Sequence, residues 1–325
     1  MRQQRPEDTP AQRRKRLVPR APSSGPADQV APPVSPQAPL LAPSLVEART
    51  YLCEVLDALA AHGAGLVVIG SHAVHERTKD VQIESTATKD SDLAVIPSLL
   101  ASEPQIEAAM RAAGFSPLKE LGGAGSRRFR SQTGLWGKGF ADDGTSVAEV
   151  DLIVPAALAD RRPRATPGHG TEATRTAAGI ELATVDRDLL PVESFADGSV
   201  RDAWVAGTAA LLCAKAFKLG ERSKERDTFR PDGSLGRDRV LPKDAGDVWR
   251  LMAASNPAEV ADTFQRLSLD RTVGEVAARG RSYLRAMVET NDLSRLLRID
   301  LGGKTDQLDD VYWAWTRTFM AATDR

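Results

Sequence analysis

The sequence predicts an α+β chain, with a small mixed-sheet core followed by a mainly helical C-terminal region. Three observations carry this. Short apolar runs containing β-branched residues stand at residues 66–69, 89–96 and 148–154, the pattern of buried strands. From Trp204 onward, apolar residues recur at helical spacing. Residues 1–43 fit neither pattern and hold ten of the twenty prolines.

The elements follow in order. Residues 1–43 carry seven Lys/Arg against three Asp/Glu, including the cluster Arg13, Arg14, Lys15 and Arg16. Few large apolar residues and many prolines predict a disordered, partly extended tail. Its local charge of +4 could grip RNA or another polyanion, or it could simply be solvated. Leu45, Tyr51, Leu52, Val55, Leu56 and Leu59 predict a helix over 44–62, which Gly63 and Gly65 end. Leu66–Ile69 is a buried strand, and Gly70-Ser71 turns it into a short helix holding His72 and Val74. A polar loop over 78–87 leads to the strand at 89–96 and a helix over 97–113, with Ile106 and Met110 on one face. Phe129 marks a further strand, the glycines at 122–125 a loop, and 148–154 another strand. The Arg-, Pro- and Gly-rich stretch 156–178 reads as a surface insertion. A long helix follows over 204–222. Pro242 suits the first position of the next helix, and Tyr312, Trp313 and Trp315 pack the last one. These elements predict a core over 44–200 and a helical domain over 201–325.

Whole-chain properties narrow the function classes. The 325 residues suffice for about two domains. The net charge of -1 advertises no polyanion or membrane surface across the chain. No apolar run approaches the roughly 18 residues of a membrane span. Basic residues near the N-terminus have no apolar stretch behind them, so no secretory signal is expected. Cys53 and Cys213 form neither a disulfide framework nor a zinc spacing, which fits a reducing cytoplasm.

Acids inside apolar strands are the chemical signal. Asp90 and Asp92 are two residues apart, so both lie on one strand face, roughly 6.6–7 Å apart. Glu149 and Asp151 share a face in the same way, with Val150, Leu152 and Val154 on the other. Such acids are costly unless paired or bound to metal. Three of them suit a pair of hard cations about 3.5–4 Å apart; equally, they could be solvated at strand ends or paired to arginine. At Gly70-Ser71 the glycine lets a phosphate approach the backbone, and helix N–H groups favour anions, though a simple turn would look the same. Lys215, Lys218 and Arg222 share one helical face. They could hold triphosphate oxygens, with Lys as a point charge and Arg bidentate, or form a solvated stripe. Asp244 falls in a first helical turn, where an acid complements the dipole, yet it heads the apolar row Val248, Leu251 and Met252.

Taken in order, Gly70-Ser71, Asp90-Ser91-Asp92 and Asp151 resemble the nucleotidyltransferase superfamily. Residues 209–222, followed by Lys243-Asp244-Ala245-Gly246-Asp247, look like the helical half of the abortive-infection (AbiEii-like) nucleotidyltransferase toxins. The resemblance covers roughly residues 62–255. It implies that Asp90, Asp92 and Asp151 hold Mg2+ or Mn2+. It implies also that Gly70, Ser71 and Lys215 hold a nucleoside triphosphate, to which the shared helical face adds Lys218 and Arg222. In that family a lysine on the first helix and an aspartate opening the second complete the active site, here Lys215 and Asp244. In some such toxins a hydroxyl between the two acids is modified by a kinase-like antitoxin, and Ser91 stands at that place, so an antitoxin is a partner to look for.

The expected activity is transfer of a nucleoside monophosphate from a triphosphate to a hydroxyl. The expected acceptor is RNA, transfer RNA first, ahead of a protein hydroxyl or a small molecule such as an aminoglycoside. Arg127, Arg128, Arg130, Arg161, Arg162 and Arg164 could meet its phosphates. The competing reading is a non-catalytic nucleotide- or RNA-binding regulator of the same fold.

Overall fold

A computed structural model describes residues 41–81, 88–121, 133–138, 148–159, 166–228, 242–300 and 306–323. The expectations for residues 1–40, the strand at Phe129, the glycine loop at 122–125 and both arginine clusters lie outside the described residues. Residues Leu41–Arg325 belong to one compact unit.

The described strands form one mixed sheet. They are β1 Leu66–Ile69, β2 Asp90–Val95, β3 Ser116–Pro117, β4 Leu135–Gly137, β5 Glu149–Pro155, β6 Arg175–Ala177, β7 Arg187–Glu193 and β8 Val200–Ala206. Their order is β3-β4-β5-β2-β1-β8-β7, and β6 continues along the β5 edge beyond β4. β1 runs antiparallel to β2 and parallel to β8, and β2 runs parallel to β5. The central strands read as near-continuous apolar runs because both faces are covered. Pro191, which lacks an N–H, is tolerated because β7 is an edge strand.

Helices cover the sheet and build the C-terminal region. α1 Pro43–Ala58, α2 Gly70–Arg77, α3 Ile106–Ala112 and the single turn α4 Leu118–Leu121 accompany the strands. The helical region holds α5 Thr208–Asp227, α6 Pro242–Ala253, α7 Pro257–Ser268, α8 Gly274–Glu289, α9 Asp292–Asp300 and α10 Asp306–Thr323. α5 packs on α6 and α8, and α10 packs on α6 and α7. Tyr312 and Trp315 are buried there, with Trp315 stacked on Phe319. No helix among the described residues is long and apolar enough to cross a membrane.

Charged groups join the layers. Arg49 of α1 is fully buried, pairs with Glu76 of α2 and donates to the Glu193 carbonyl at 2.8 Å. Arg77 donates to the carbonyls of Val205 and Ala206, both at 2.8 Å, and so ties α2 to the end of β8. The Asp186 carboxylate accepts the Ala210 N–H at 2.8 Å and satisfies one open donor at the start of α5.

Several boundaries differ from the sequence reading. The helix expected over 97–113 is a 3-10 turn, Pro97–Leu99, followed by α3 only from Ile106. Pro104 accounts for the break, since the residue before a proline is kept out of the helical region. The long helix begins at Thr208 and not at Trp204. Trp204 and Val205 instead pair with Val67 and Val68, so the sheet runs past the boundary expected at residue 200. The stretch 156–178 is no mere insertion: it ends in β6, and Thr166, His169, Ala173 and Thr174 within it are buried.

Leu93, on central β2, is fully buried. Leu93→Ala should therefore lower unfolding free energy by about 2–5 kcal/mol, read from urea denaturation. A loss below 1 kcal/mol, on the order of a surface change, would mean that the sheet is not packed as described.

Candidate functional site

The site forms where β1 ends and β2 and β5 begin. Ile69 lies opposite Asp92 on antiparallel β1 and β2, so the Gly70 turn sits directly beside Asp92. On parallel β2 and β5, Asp90 lies opposite Glu149 and Asp92 opposite Asp151. Directly opposed residues on neighbouring strands share a face, with the strands about 4.8 Å apart. The alternation predicted from sequence thus places four acids on one face: Asp90, Asp92, Glu149 and Asp151. Ser91, between the two aspartates, points the other way: it is fully buried and donates to the Ala48 carbonyl at 2.7 Å.

Gly70 is required there. Its φ of +67° belongs to the left-handed region, and a Cβ on it would collide with the Asp92 carboxylate. The Ser71 hydroxyl, at the start of α2, donates to Asp247 at 3.2 Å.

The acids differ in surroundings. Asp90 is exposed and Asp92 half-buried, while Asp151 keeps only 6% of its surface. Burial pushes the Asp92 carboxyl up; Asp90 adds to this, and Lys218, Lys215 and Arg175 oppose it. Burial likewise pushes Asp151 up to about 7, against Arg175 and with Asp92 and Asp90 adding. Arg175 of β6 binds Asp151 through both carboxylate oxygens, its Nε standing 2.8 and 2.9 Å from them. Among the described residues no three His, Cys, Asp or Glu side chains stand ready to hold a metal. The donor set nonetheless suits a hard cation, which takes carboxylate oxygens. Asp92 and Asp151 are in register, and so are Asp90 and Glu149 two residues away on the same face. Glycine keeps the space beside Asp92 clear.

Opposite the acids lies a second charged group. Lys215 is buried and donates to Asp244 at 3.1 Å and to Asp247 at 2.6 Å. Burial alone would push its ammonium down, but the two aspartates outweigh this and raise it. Asp244 is fully buried and also receives Lys218 at 3.0 Å and Arg222 at 3.2 Å. Burial pushes Asp244 up, yet Lys215 and Lys218 bring it down to about 2. Asp247 pairs in addition with Arg250. Lys218 keeps 38% of its side chain open, against 7% for Lys215.

Asp90, Asp92 and Asp151 therefore come together with Gly70, and Lys218 lies within their electrostatic reach. Lys215 faces Asp244 and Asp247 instead of open space, which changes the role expected of it from phosphate contact to support. Arg222 is likewise spent on Asp244. Asp244 holds Lys215, together with Lys218 and Arg222. Sequence reasoning singled out neither Arg175 nor Asp247 as a site residue. Asp247 lies four residues after Lys243 in the quoted motif, and its spacing to Asp244 was the available signal.

No family model, curated protein or solved structure matches the chain. The functional reading rests on the residues and their geometry.

The Asp244 carboxyl lies below the ordinary carboxylate range, so its stabilisation is present above about pH 4 and is lost as pH falls through about 2. Asp244→Asn should cost about 3 kcal/mol near neutral pH, because three cations lose a buried partner. The gap between wild type and variant should narrow as pH falls from about 4 towards 2. Urea denaturation at several pH values measures it; a gap that stays constant would refute the assignment.

Proposed function

We propose that this chain is a metal-dependent nucleotidyltransferase that moves a nucleoside monophosphate from a nucleoside triphosphate to a hydroxyl acceptor. One observation carries the reading: Asp92 and Asp151 stand in register on adjacent parallel strands, beside a positive-φ glycine that opens a helix. The AbiEii-like resemblance of the sequence supports the same reaction.

In this reading Asp90, Asp92 and Asp151 hold Mg2+ or Mn2+. The bound cation supplies positive charge to the triphosphate oxygens. Backbone N–H groups at the start of α2 face the phosphates, and the Ser71 hydroxyl exchanges Asp247 for a phosphate oxygen. Lys218 adds a point charge from the far side. Lys215, Asp244 and Asp247 are positioning residues that fix α5 and α6 around Lys218. The acceptor oxygen bonds to the α-phosphorus, the bond to the pyrophosphate oxygen breaks, and pyrophosphate leaves. Asp151 takes the hydroxyl proton. The acceptor we favour is RNA, transfer RNA first, in a toxin-like role with an antitoxin as partner.

The test is label transfer from each α-labelled triphosphate with Mg2+ to total RNA, then to lysate protein, then to an aminoglycoside. Labelled RNA that disappears in Asp92→Asn is the expected result. Label on protein or drug alone would keep the reaction class and remove the RNA acceptor. Nucleotide binding without transfer to any acceptor would favour the non-catalytic regulator.

The two lysines should separate. Lys218→Ala should keep its melting temperature and lose turnover by about 10²-fold or more, as expected for a contact strengthened in the transition state. Lys215→Ala should instead lower the melting temperature by several degrees, since two buried carboxylates each lose one of their cations, at a cost of about 3 kcal/mol. Thermal melts beside initial rates decide this, and the reverse pattern would exchange the two roles.

A further inference from the structure

The acid cluster carries a cation of its own. Arg175 extends from β6, and β6 is hydrogen-bonded to β5 with Arg175 opposite Ile153, two residues along from Asp151. The sheet therefore fixes the root of the side chain, and its fork closes on Asp151. Nε lies 2.8 Å from one carboxylate oxygen and 2.9 Å from the other, and Nη2 meets the second as well. A fork of this kind is the strongest common partner of a carboxylate. It engages both of the oxygens that Asp151 could offer a divalent cation. The Arg175 charge is also felt at Asp92.

Carboxylates clustered at the start of β2 and β5 repel one another, and the buried Asp151 also loses hydration. A protein that must stay folded before a cation arrives needs a counter-charge at that place. Lys218 is committed in part to Asp244 at 3.0 Å, so it does not supply this alone. Arg175 does. About a third of its side chain is open to solvent, at 34%, against 9% for Asp151, so the fork has room to swing away while the carboxylate stays in place.

We propose that Arg175 is the resident counter-ion of the acid cluster: it clamps Asp151 in the cation-free protein, and a divalent cation takes Asp151 only by displacing it. The inference rests on the metal-dependent reading above. Arg175 is in these terms a positioning residue, since it acts through Asp151. Removing the fork costs stability without cation and improves affinity for cation. Loss of a nearby positive charge would by itself raise the affinity somewhat, so a gain in the charge-keeping Arg175→Lys variant marks displacement of the fork.

Manganese binding to the full-length protein tests this, followed through the spectroscopic signal of free Mn2+ and without nucleotide. Arg175→Gln should bind Mn2+ about tenfold more tightly than wild type, about 1.4 kcal/mol. In chelator it should melt at a lower temperature than wild type, and Mn2+ should restore more of that loss than it adds to wild type. Arg175→Lys, which keeps the charge but loses the fork, should tighten binding by a smaller factor and covers the case in which the glutamine variant does not fold. Asp92→Asn should lose binding. If wild type binds, Asp92→Asn does not, and Arg175→Lys gains no affinity, the counter-ion role is overturned while the metal reading stands. If wild type and every variant fail to bind Mn2+ even with nucleotide added, the metal reading falls and takes this inference with it.

Discussion

Lys215 enters the space between α5 and α6 with only 7% of its side chain open, and two carboxylates meet it there. An ammonium so placed would be strongly disfavoured without the two carboxylates, and each carboxylate would be so without its set of cations. Each group therefore fixes the others. Asp244, fully buried, also gathers Lys218 and Arg222 from successive turns of α5. Asp247 reaches back to the Ser71 hydroxyl and forward to Arg250. Through these contacts the helical region is aligned with the turn that leaves the sheet. Apolar burial supplies the bulk of the stability, but it is non-directional. The ion set specifies how α5 and α6 meet α2.

On the sheet side the constraint has the opposite sign. Asp90, Asp92 and Asp151 bring excess negative charge to the start of β2 and β5, and Arg175 closes one end of it. Lys218 faces the other end while bound to Asp244. Charges alternate across the site, from Arg175 through the acids to Lys218 and Lys215, then to Asp244 and Asp247, and finally to Arg222 and Arg250. Such alternation keeps every buried charge within reach of its opposite. Gly70 belongs to the same arrangement, because Asp92 occupies the space that a side chain on that residue would need.

Much of the acid side was legible in the sequence because a strand has a period of two. Once residues 89–96 and 148–154 are strands, Asp90 and Asp92 must share a face, and so must Glu149 and Asp151. Leu66–Ile69 was readable for a similar reason, as an apolar run bounded by glycines at both ends. The pairing of β2 with β5 was not readable, since register depends on partners remote in the chain. Arg175 escaped because β6 has three residues, too few to show a period, inside a stretch whose composition suggests a loop. Trp204 and Val205 read as helical in the sequence because their apolar run continues into α5. Only pairing with β1 separates the two. The row Lys215, Lys218 and Arg222 was visible as a face, but not what covers it. A helical period shows which residues share a side and says nothing of acids arriving from another helix.

That last distinction bears on how the charges divide their work. Lys215 and Lys218 are one helical turn apart and share Asp244, so sequence treats them alike. Exposure does not: Lys218 keeps 38% of its side chain open and Lys215 keeps 7%. A cation that is to exchange partners with an incoming phosphate has to reach it without first abandoning a buried acid. Lys215 is itself buried and would break two buried ion pairs at once, to Asp244 and to Asp247. If Lys218 turned away, Asp244 would still hold Lys215 and Arg222. Arg175 and Lys218 thus flank the acids as two cations, each partly open and each paired in the site with a single carboxylate, Asp151 and Asp244. Lys215 is their fixed counterpart. On the proposed reading, the groups that hold the site together and the groups that meet the triphosphate are set apart by burial, and charge alone would not have separated them.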